Sequence, residues 1–168
     1  MQFITYYESS IGRITLSSDG DNLCGLWFDK QKYDRLGLYK DATYDSSLMI
    51  FKMVNQYLDD YFKGLNPTIT IPIKFNTTPF REQVFSHLLT IPYGTTTTYK
   101  KIAQDIALEN GIKSMSAQAV GSAIGHNPIT IIVPCHRVIG TDGSLTGFAG
   151  GIERKEFFLN LEKGHSNN

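Results

Sequence analysis

The spacing of apolar positions changes character along the chain. Between Phe3 and Phe28 it favours β structure: Phe3–Glu8 and Gly12–Ser17 read as strands across a short Ser-Ser-Ile-Gly turn. Asp19-Gly20-Asp21-Asn22 then turns into a third strand ending near Phe28, which makes a small antiparallel meander. From 46 to 63 the period lengthens. Leu48, Phe51, Val54, Leu58 and Tyr61 recur at three- and four-residue steps, predicting a helix with Ser46 or Ser47 as cap and Gly64 as stop. Residues 66–73 alternate again, but Pro67 and Pro72 restrict them to an edge strand or a linker. A boundary near 64–78 divides the chain into domains 1–78 and 79–168.

Beyond it the pattern is helical. A helix starting at Pro79 places Phe80, Val84, Leu88 and Leu89 on one side and ends before the turn Ile91-Pro92-Tyr93-Gly94. Thr98 caps a helix running through Ile106, and after a polar loop from Glu109 to Met115, Ser116 caps a short helix from Ala117 to Ile124 that Gly125 stops. This is the outline of a helix-turn-helix, although most short helix pairs simply pack. Ala117, Val120 and Ile124 share the natural core face of the last helix. The opposite side presents Gln118, Ala119 and Ser122, flanked by Gly121 and Gly125. Each glycine is about 1 kcal/mol worse in a helix than alanine. Close helix packing explains them, and so does a smooth helix that must enter a narrow groove.

Composition narrows the classes. At 41% hydrophobic, with ten Phe and nine Tyr, the chain has material for a packed core. No apolar run approaches the roughly 20 residues of a membrane span, and the N-terminus does not read as a signal peptide, so a cytoplasmic protein is expected. Sixteen Lys+Arg balance sixteen Asp+Glu, which excludes a protein that coats nucleic acid through bulk positive charge. Cys24 and Cys135 do not suggest a disulfide scaffold, and Cys24 reads as a small buried hydrophobe in a strand. The histidines at 87, 126, 136 and 165 lack metal-ligand spacing, so no metal is expected.

The candidate chemistry lies in Asn127-Pro128-Ile129-Thr130-Ile131-Ile132-Val133-Pro134-Cys135-His136-Arg137-Val138. A cysteine at the end of an apolar strand, between Pro134 and His136, is an unusual place for a structural thiol. The thiolate is the nucleophile, and a neighbouring imidazole favours it. A bare Cys-His pair is more often coincidence; Pro134 and the Asn127-Pro128 pair weaken that explanation.

Val133-Pro134-Cys135-His136-Arg137-Val138 resembles the active-site signature of the O6-alkylguanine-DNA alkyltransferases (methylated-DNA–protein-cysteine methyltransferases). The resemblance extends through Pro79-Phe80-Arg81, Ile91-Pro92-Tyr93-Gly94-Thr95, Tyr99, Ala119-Val120-Gly121, Asn127-Pro128-Ile129, Gly147, Gly150-Gly151, Lys155 and Glu162. It implies an α/β protein with a small ribonuclease H-like N-terminal domain, a meander plus helix. The C-terminal domain would be helical, with a helix-turn-helix of winged-helix-like type. The implied activity is direct repair: the alkyl group of O6-alkylguanine, and of O4-alkylthymine, passes irreversibly from double-stranded DNA to Cys135, once per chain and without a cofactor. The protein would act as a monomer.

Site roles follow by position. Cys135 would be the acceptor, with His136, an intervening water and Glu162 as proton relay. Asn127 would tie the recognition helix to the active-site strand, and Tyr99 would hydrogen-bond the base and assist its departure. Pro134, Val138, Phe148 and Ala149 would contact the extruded base, with residues 147–151 as a wall. Thr97, Gln118, Ala119, Ser122 and Arg137 would meet DNA, Arg137 having the alternative of a structural ion pair. Gln118 stands where the family carries an arginine that fills the vacated base stack, and Phe148 stands where some members have tyrosine. A cysteine hydrolase, a non-catalytic lesion sensor and a major-groove regulator are the competing readings. The first needs a separated His and an oxyanion hole; relatives of the second kind lack the cysteine; the third needs long polar side chains on its reading helix.

Overall fold

Hydrogen-bonding capacity at the ends of the predicted segments decides where each element stops. A computed structural model of the chain describes residues 1–35, 37–145 and 147–166, with the backbone only for 165 and 166. Two units divide it: Met1–Asn76 with Pro128–Thr130, and Thr77–Asn127 with Ile131–Asn168. The short return at Pro128–Thr130 is absent from a contiguous division at 78/79.

In the first unit, β1 (Phe3–Ser9), β2 (Gly12–Ser18) and β3 (Leu23–Phe28) form the expected meander. β4 (Thr43–Tyr44) joins parallel to β1, giving the order β3-β2-β1-β4. Ile14, Leu16, Leu26 and Phe28 are fully buried, and α1 (Met49–Phe62) contributes Phe51, Val54 and Leu58 to the same unit's core. Tyr7 on β1 donates its hydroxyl hydrogen to Asp59 of α1 at 2.7 Å. The helix starts later than predicted. Ser47 gives both its N–H and its hydroxyl to Asp45, so neither Ser46 nor Ser47 is the cap; Leu48 takes that place without a side-chain bond. Along residues 66–73 the described residues form one bridge, Leu23 with Ile73, as expected for a segment with two prolines.

The second unit begins with α2 (Pro79–Leu88). Thr78 accepts from the Arg81 N–H, and proline occupies the first turn, where its missing N–H costs nothing. The buried face carries Val84, Phe85 and Leu88. Phe80 is only half-buried and Leu89 exposed, because the inner stripe runs through Phe85 instead. β5 (Thr97–Thr98) leads into α3 (Tyr99–Asn110), where Thr98 accepts from the Lys101 N–H. The helix continues beyond Ile106 until Gly111, whose left-handed backbone (φ 64°) terminates it. α4 (Ala117–Gly125) follows, with Ser116 accepting from the N–H groups of Gln118 and Ala119. Val120, Ala123 and Ile124 face inward, and Ala117 is only half-buried. α2, α3 and α4 pack on one another. β6 (Val138–Ile139) pairs parallel with β5, and α5 (Ile152–Ser166) closes the unit. None of the described helices is long and apolar enough to cross a membrane.

The segment before Cys135 corrects the sequence reading. Residues 129–134 do not form a strand: Ile129 makes one bridge to Leu26, and the chain then turns. A short, wholly apolar run is compatible with several backbone paths. Here Ile131 takes a left-handed conformation (φ 73°), which ends any extended ladder.

Candidate active site

Cys135 opens a 3₁₀ turn, Cys135–Arg137, that runs directly into β6. In a strand, neighbouring side chains at 135 and 136 would point to opposite sides; the turn imposes no such alternation. The turn is fixed from both directions: Cys135 N–H donates to the Val133 carbonyl at 2.8 Å, and Arg137 N–H to Pro134 at 3.0 Å. Asn127, just after α4, donates its side-chain N–H to the same Val133 carbonyl at 2.9 Å. Asn127 thus couples the end of α4 to the segment bearing the thiol, although that segment is a turn.

Three charged or polar side chains converge behind Cys135. His136 Nε2 lies 2.5 Å from Glu162 Oε2, with both residues almost wholly buried. Arg137 donates from Nε to Glu162 Oε1 at 2.8 Å, from Nη2 to Oε2 at 3.2 Å, and from Nη1 to the Ile91 carbonyl at 2.7 Å. The Gly94 N–H adds a weaker bond to Glu162 at 3.3 Å. Burial disfavours a charged Glu162, but the hydrogen bond to His136 and the hydrogen bonds and positive charge of Arg137 outweigh it and hold its pKa at about 2. Burial lowers the pKa of His136, against the pull of Glu162, so at neutral pH the group consists of neutral imidazole, carboxylate and guanidinium. Arg137, one of the expected DNA contacts, is accordingly committed inside the protein. Its structural alternative is the one the geometry takes.

Burial pushes Cys135 up to about 11; the Asn127 hydrogen bond and the positive charge of Lys155 only partly offset it. The resting side chain is therefore a protonated thiol. Phe158 of α5 lies between the His136 ring (5.2 Å between centroids) and Phe148 (6.3 Å).

Lys155 is the residue to which sequence reasoning gave no role. It is fully buried, donates to the Val138 carbonyl at 2.6 Å, and lies 3.4 Å from the Tyr99 hydroxyl. Burial lowers its pKa to about 8, against the raising effect of Cys135. The signal was available: Lys155, Phe158 and Glu162 fall at i, i+3 and i+7, one face of α5, and all three are buried. Tyr99, at the start of α3, is pushed to about 12 by burial and then by Cys135, so its hydroxyl stays a donor. A Cβ at Gly147 would come 2.7 Å from that hydroxyl, and its φ of 90° also favours glycine.

The remaining predicted residues are more scattered. Pro134 and Val138 are buried on either side of the turn, Phe148 is buried and Ala149 half-buried. Thr97 is half-buried in β5 opposite Val138. Gln118 and Ser122 are exposed on α4, with Ala119 half-buried. Of the other histidines, His87 pairs with Glu109 at 2.8 Å and His126 contacts the Ser122 carbonyl; the His165 side chain lies outside the described residues. Among the described residues, no three His, Cys, Asp or Glu side chains gather as a metal site.

Residues 79–164 match the model of the 6-O-methylguanine DNA methyltransferase DNA-binding domain, and residues 3–75 that of its ribonuclease-like domain. A methylated-DNA–protein-cysteine methyltransferase of Haemophilus influenzae is 38% identical over 96% of this chain and 86% of its own length. A Mycobacterium bovis protein of the same description is 42% identical over 93% of this chain and 89% of its own. Among solved structures, Mycobacterium tuberculosis OGT in complex with DNA superposes with a TM-score of 0.85 at 40% identity, covering 97% of this chain and 94% of that one.

Proposed function

The chain belongs to the 6-O-methylguanine DNA methyltransferase family, and from that premise we propose that Cys135 is its alkyl acceptor and that His136 and Glu162 remove the thiol proton. It is a methylated-DNA–protein-cysteine methyltransferase that repairs O6-methylguanine in DNA. The observation that carries the assignment is the buried pair of His136, in the turn that Cys135 opens, and Glu162 of α5 at 2.5 Å.

The chemistry follows from the charges. Glu162 orients His136 through Nε2, and Nδ1 on the other side of the ring exchanges a proton with the thiol through a bridging water. Arg137 keeps Glu162 ionised while that happens, so the imidazolium forms beside a fixed carboxylate. The thiolate sulfur attacks the O-alkyl carbon in line; the C–S bond forms, the C–O6 bond breaks, and its electron pair goes to the guanine. Tyr99, still protonated, donates to the departing base, and Lys155 holds the Tyr99 oxygen and Val138 in place. No cofactor enters, because the substrate brings its own electrophilic carbon. The thioether is not reconverted to thiol, so each chain acts once. O4-alkylthymine presents the same O-alkyl carbon and is proposed as a second substrate.

The base must leave the stack to reach a buried thiol. α4 would face the minor groove with Gln118, Ala119 and Ser122, and Thr97 would meet the backbone. An added Cβ at Gly121 would make only ordinary contact with the Tyr99 ring, and one at Gly125 would meet nothing within 4 Å. Helix packing therefore does not demand either glycine, which supports a helix kept smooth for close approach to DNA. Gln118 would fill the space of the extruded nucleotide. We expect a monomer acting in the cytoplasm, on the nucleoid if the cell is bacterial. Intact mass after incubation with excess O6-methylguanine duplex tests the reading: one CH2 gained per chain and no turnover supports it, and repeated turnover or an unmodified chain refutes it. An O4-methylthymine duplex gives the parallel test.

A further inference from the structure

Four described non-glycine residues have left-handed backbone: Lys30, Tyr33, Arg35 and Ile131. The first three are exposed in one polar loop, where such conformations are cheap to accommodate. Ile131 differs in both respects that matter. Its side chain is β-branched, for which a φ of 73° is a strong outlier, and it is 1% exposed. An L-residue in this region costs about 1–2 kcal/mol and persists only when its surroundings impose it.

The surroundings here are definite. On one side the Leu26 N–H donates to Pro128 at 2.8 Å, and the Thr130 N–H donates back to Leu26 at 3.1 Å. On the other, Val133 accepts from both the Asn127 side chain and the Cys135 N–H. Ile131 therefore lies inside a loop closed by the Asn127–Val133 bond, between two anchored stretches. Ile129, Ile132 and Val133 around it are buried as well. Glycine or asparagine would satisfy the backbone more cheaply. Isoleucine supplies what they lack, a buried apolar side chain that holds the turn to one path.

We propose that Ile131 is a positioning residue for Cys135, its anchored side chain enforcing the left-handed turn that sets the thiol against the His136–Glu162 pair. The proposal rests on Cys135 being the acceptor. Glycine at 131 removes the backbone strain yet frees the turn to take either sign of φ, so reactivity should fall even though a local cost has gone. A merely structural strain predicts the opposite: equal reactivity with equal or better stability.

The test is single-turnover reaction with free O6-benzylguanine across a pH series, for the parent, Ile131→Gly and Ile131→Leu. Leucine keeps apolar bulk and restricts φ, so it should stay close to the parent. Glycine should slow the reaction by about tenfold or more, the scale of small misplacements of reacting groups. It should also move the midpoint of the pH–rate curve upward, because a displaced thiol loses its base. The charged and titrating groups around the thiol (His136, Arg137, Glu162, Lys155 and Tyr99) are the same in all three proteins. Should the glycine variant not fold, Ile131→Ala, which removes the anchoring side chain, should slow the reaction relative to Ile131→Leu, and equal rates for the two overturn the proposal. A glycine variant with parental rate and profile overturns the proposal, as does an equal loss in the leucine and glycine variants. An unreactive parent would instead overturn the assignment of Cys135.

Discussion

Cys24 and Cys135 place the same side chain in two settings. Cys24 is half-buried on β3, its sulfur 3.8 Å from the Asn22 carbonyl, and burial together with the Asp19 carboxylate raises its pKa. Cys135 is buried more completely and pushed to about 11. A depressed pKa, the usual mark of a reactive cysteine, singles out neither. The difference is in the neighbours. Asp19 beside Cys24 repels a thiolate, whereas Cys135 is followed by an imidazole whose far nitrogen is held by a buried carboxylate. In the proposed mechanism reactivity belongs to the thiol that is followed by a base, and burial leaves that thiol protonated at rest.

The largest expected effect breaks that comparison outright. Cys135→Ser should accept no alkyl group from O6-methylguanine duplex by intact mass, while Cys24→Ser should match the parent. Next comes the base. Glu162→Gln leaves Arg137 buried without its counter-charge and His136 without its orienting carboxylate. The single-turnover rate should fall by about 10²–10⁴, and stability in urea by about 3–5 kcal/mol. A Gln variant with parental rate would transfer the base role elsewhere.

Acid should expose the same group. The pKa of Glu162 is depressed on folding, so its contribution is present above its ordinary value near 4.5 and is lost as the pH falls from there through about 2. Denaturant midpoints measured across that window should drop, and Glu162→Gln should flatten the drop. A parental curve as flat as the variant's would contradict the pairing.

Smaller effects concern the exposed side of α4. Gln118→Ala should slow repair of duplex by roughly tenfold, a part of the few kcal/mol that extrusion costs. Reaction with free O6-benzylguanine should be unchanged, and Gln118→Arg should equal or exceed the parent on duplex. Equal duplex rates for Gln118→Ala and the parent would remove Gln118 from the mechanism. The smallest expected effect is salt dependence. With charges balanced overall and Arg137 turned inward, the slope of log affinity against log salt should be shallow; a slope like that of a highly basic repressor would show phosphate contacts not identified here.

Legibility in the sequence follows the range of the forces involved. The meander and the caps at Thr78, Thr98 and Ser116 were readable because alternation and capping are local. The α1 start was missed because Asp45 captures Ser47, a competition between neighbours that propensity does not rank. Residues 129–134 were misread as a strand because an apolar run specifies burial but not φ, and Ile131 turns against its own preference. Cys135, His136 and Glu162 were named from the resemblance. The sequence leaves Arg137 between DNA and a structural ion pair and gives Lys155 no role, since a cation's burial depends on a partner supplied from elsewhere in the chain, Glu162 for one and the Val138 carbonyl for the other.

The most direct measurement is peptide mapping of the wild-type protein after reaction with O6-methylguanine duplex at neutral pH, with the modified fraction of each cysteine read from the same digest. The account predicts methyl on Cys135 approaching one per chain and none on Cys24. Methyl on Cys24, or divided between the two, would contradict it.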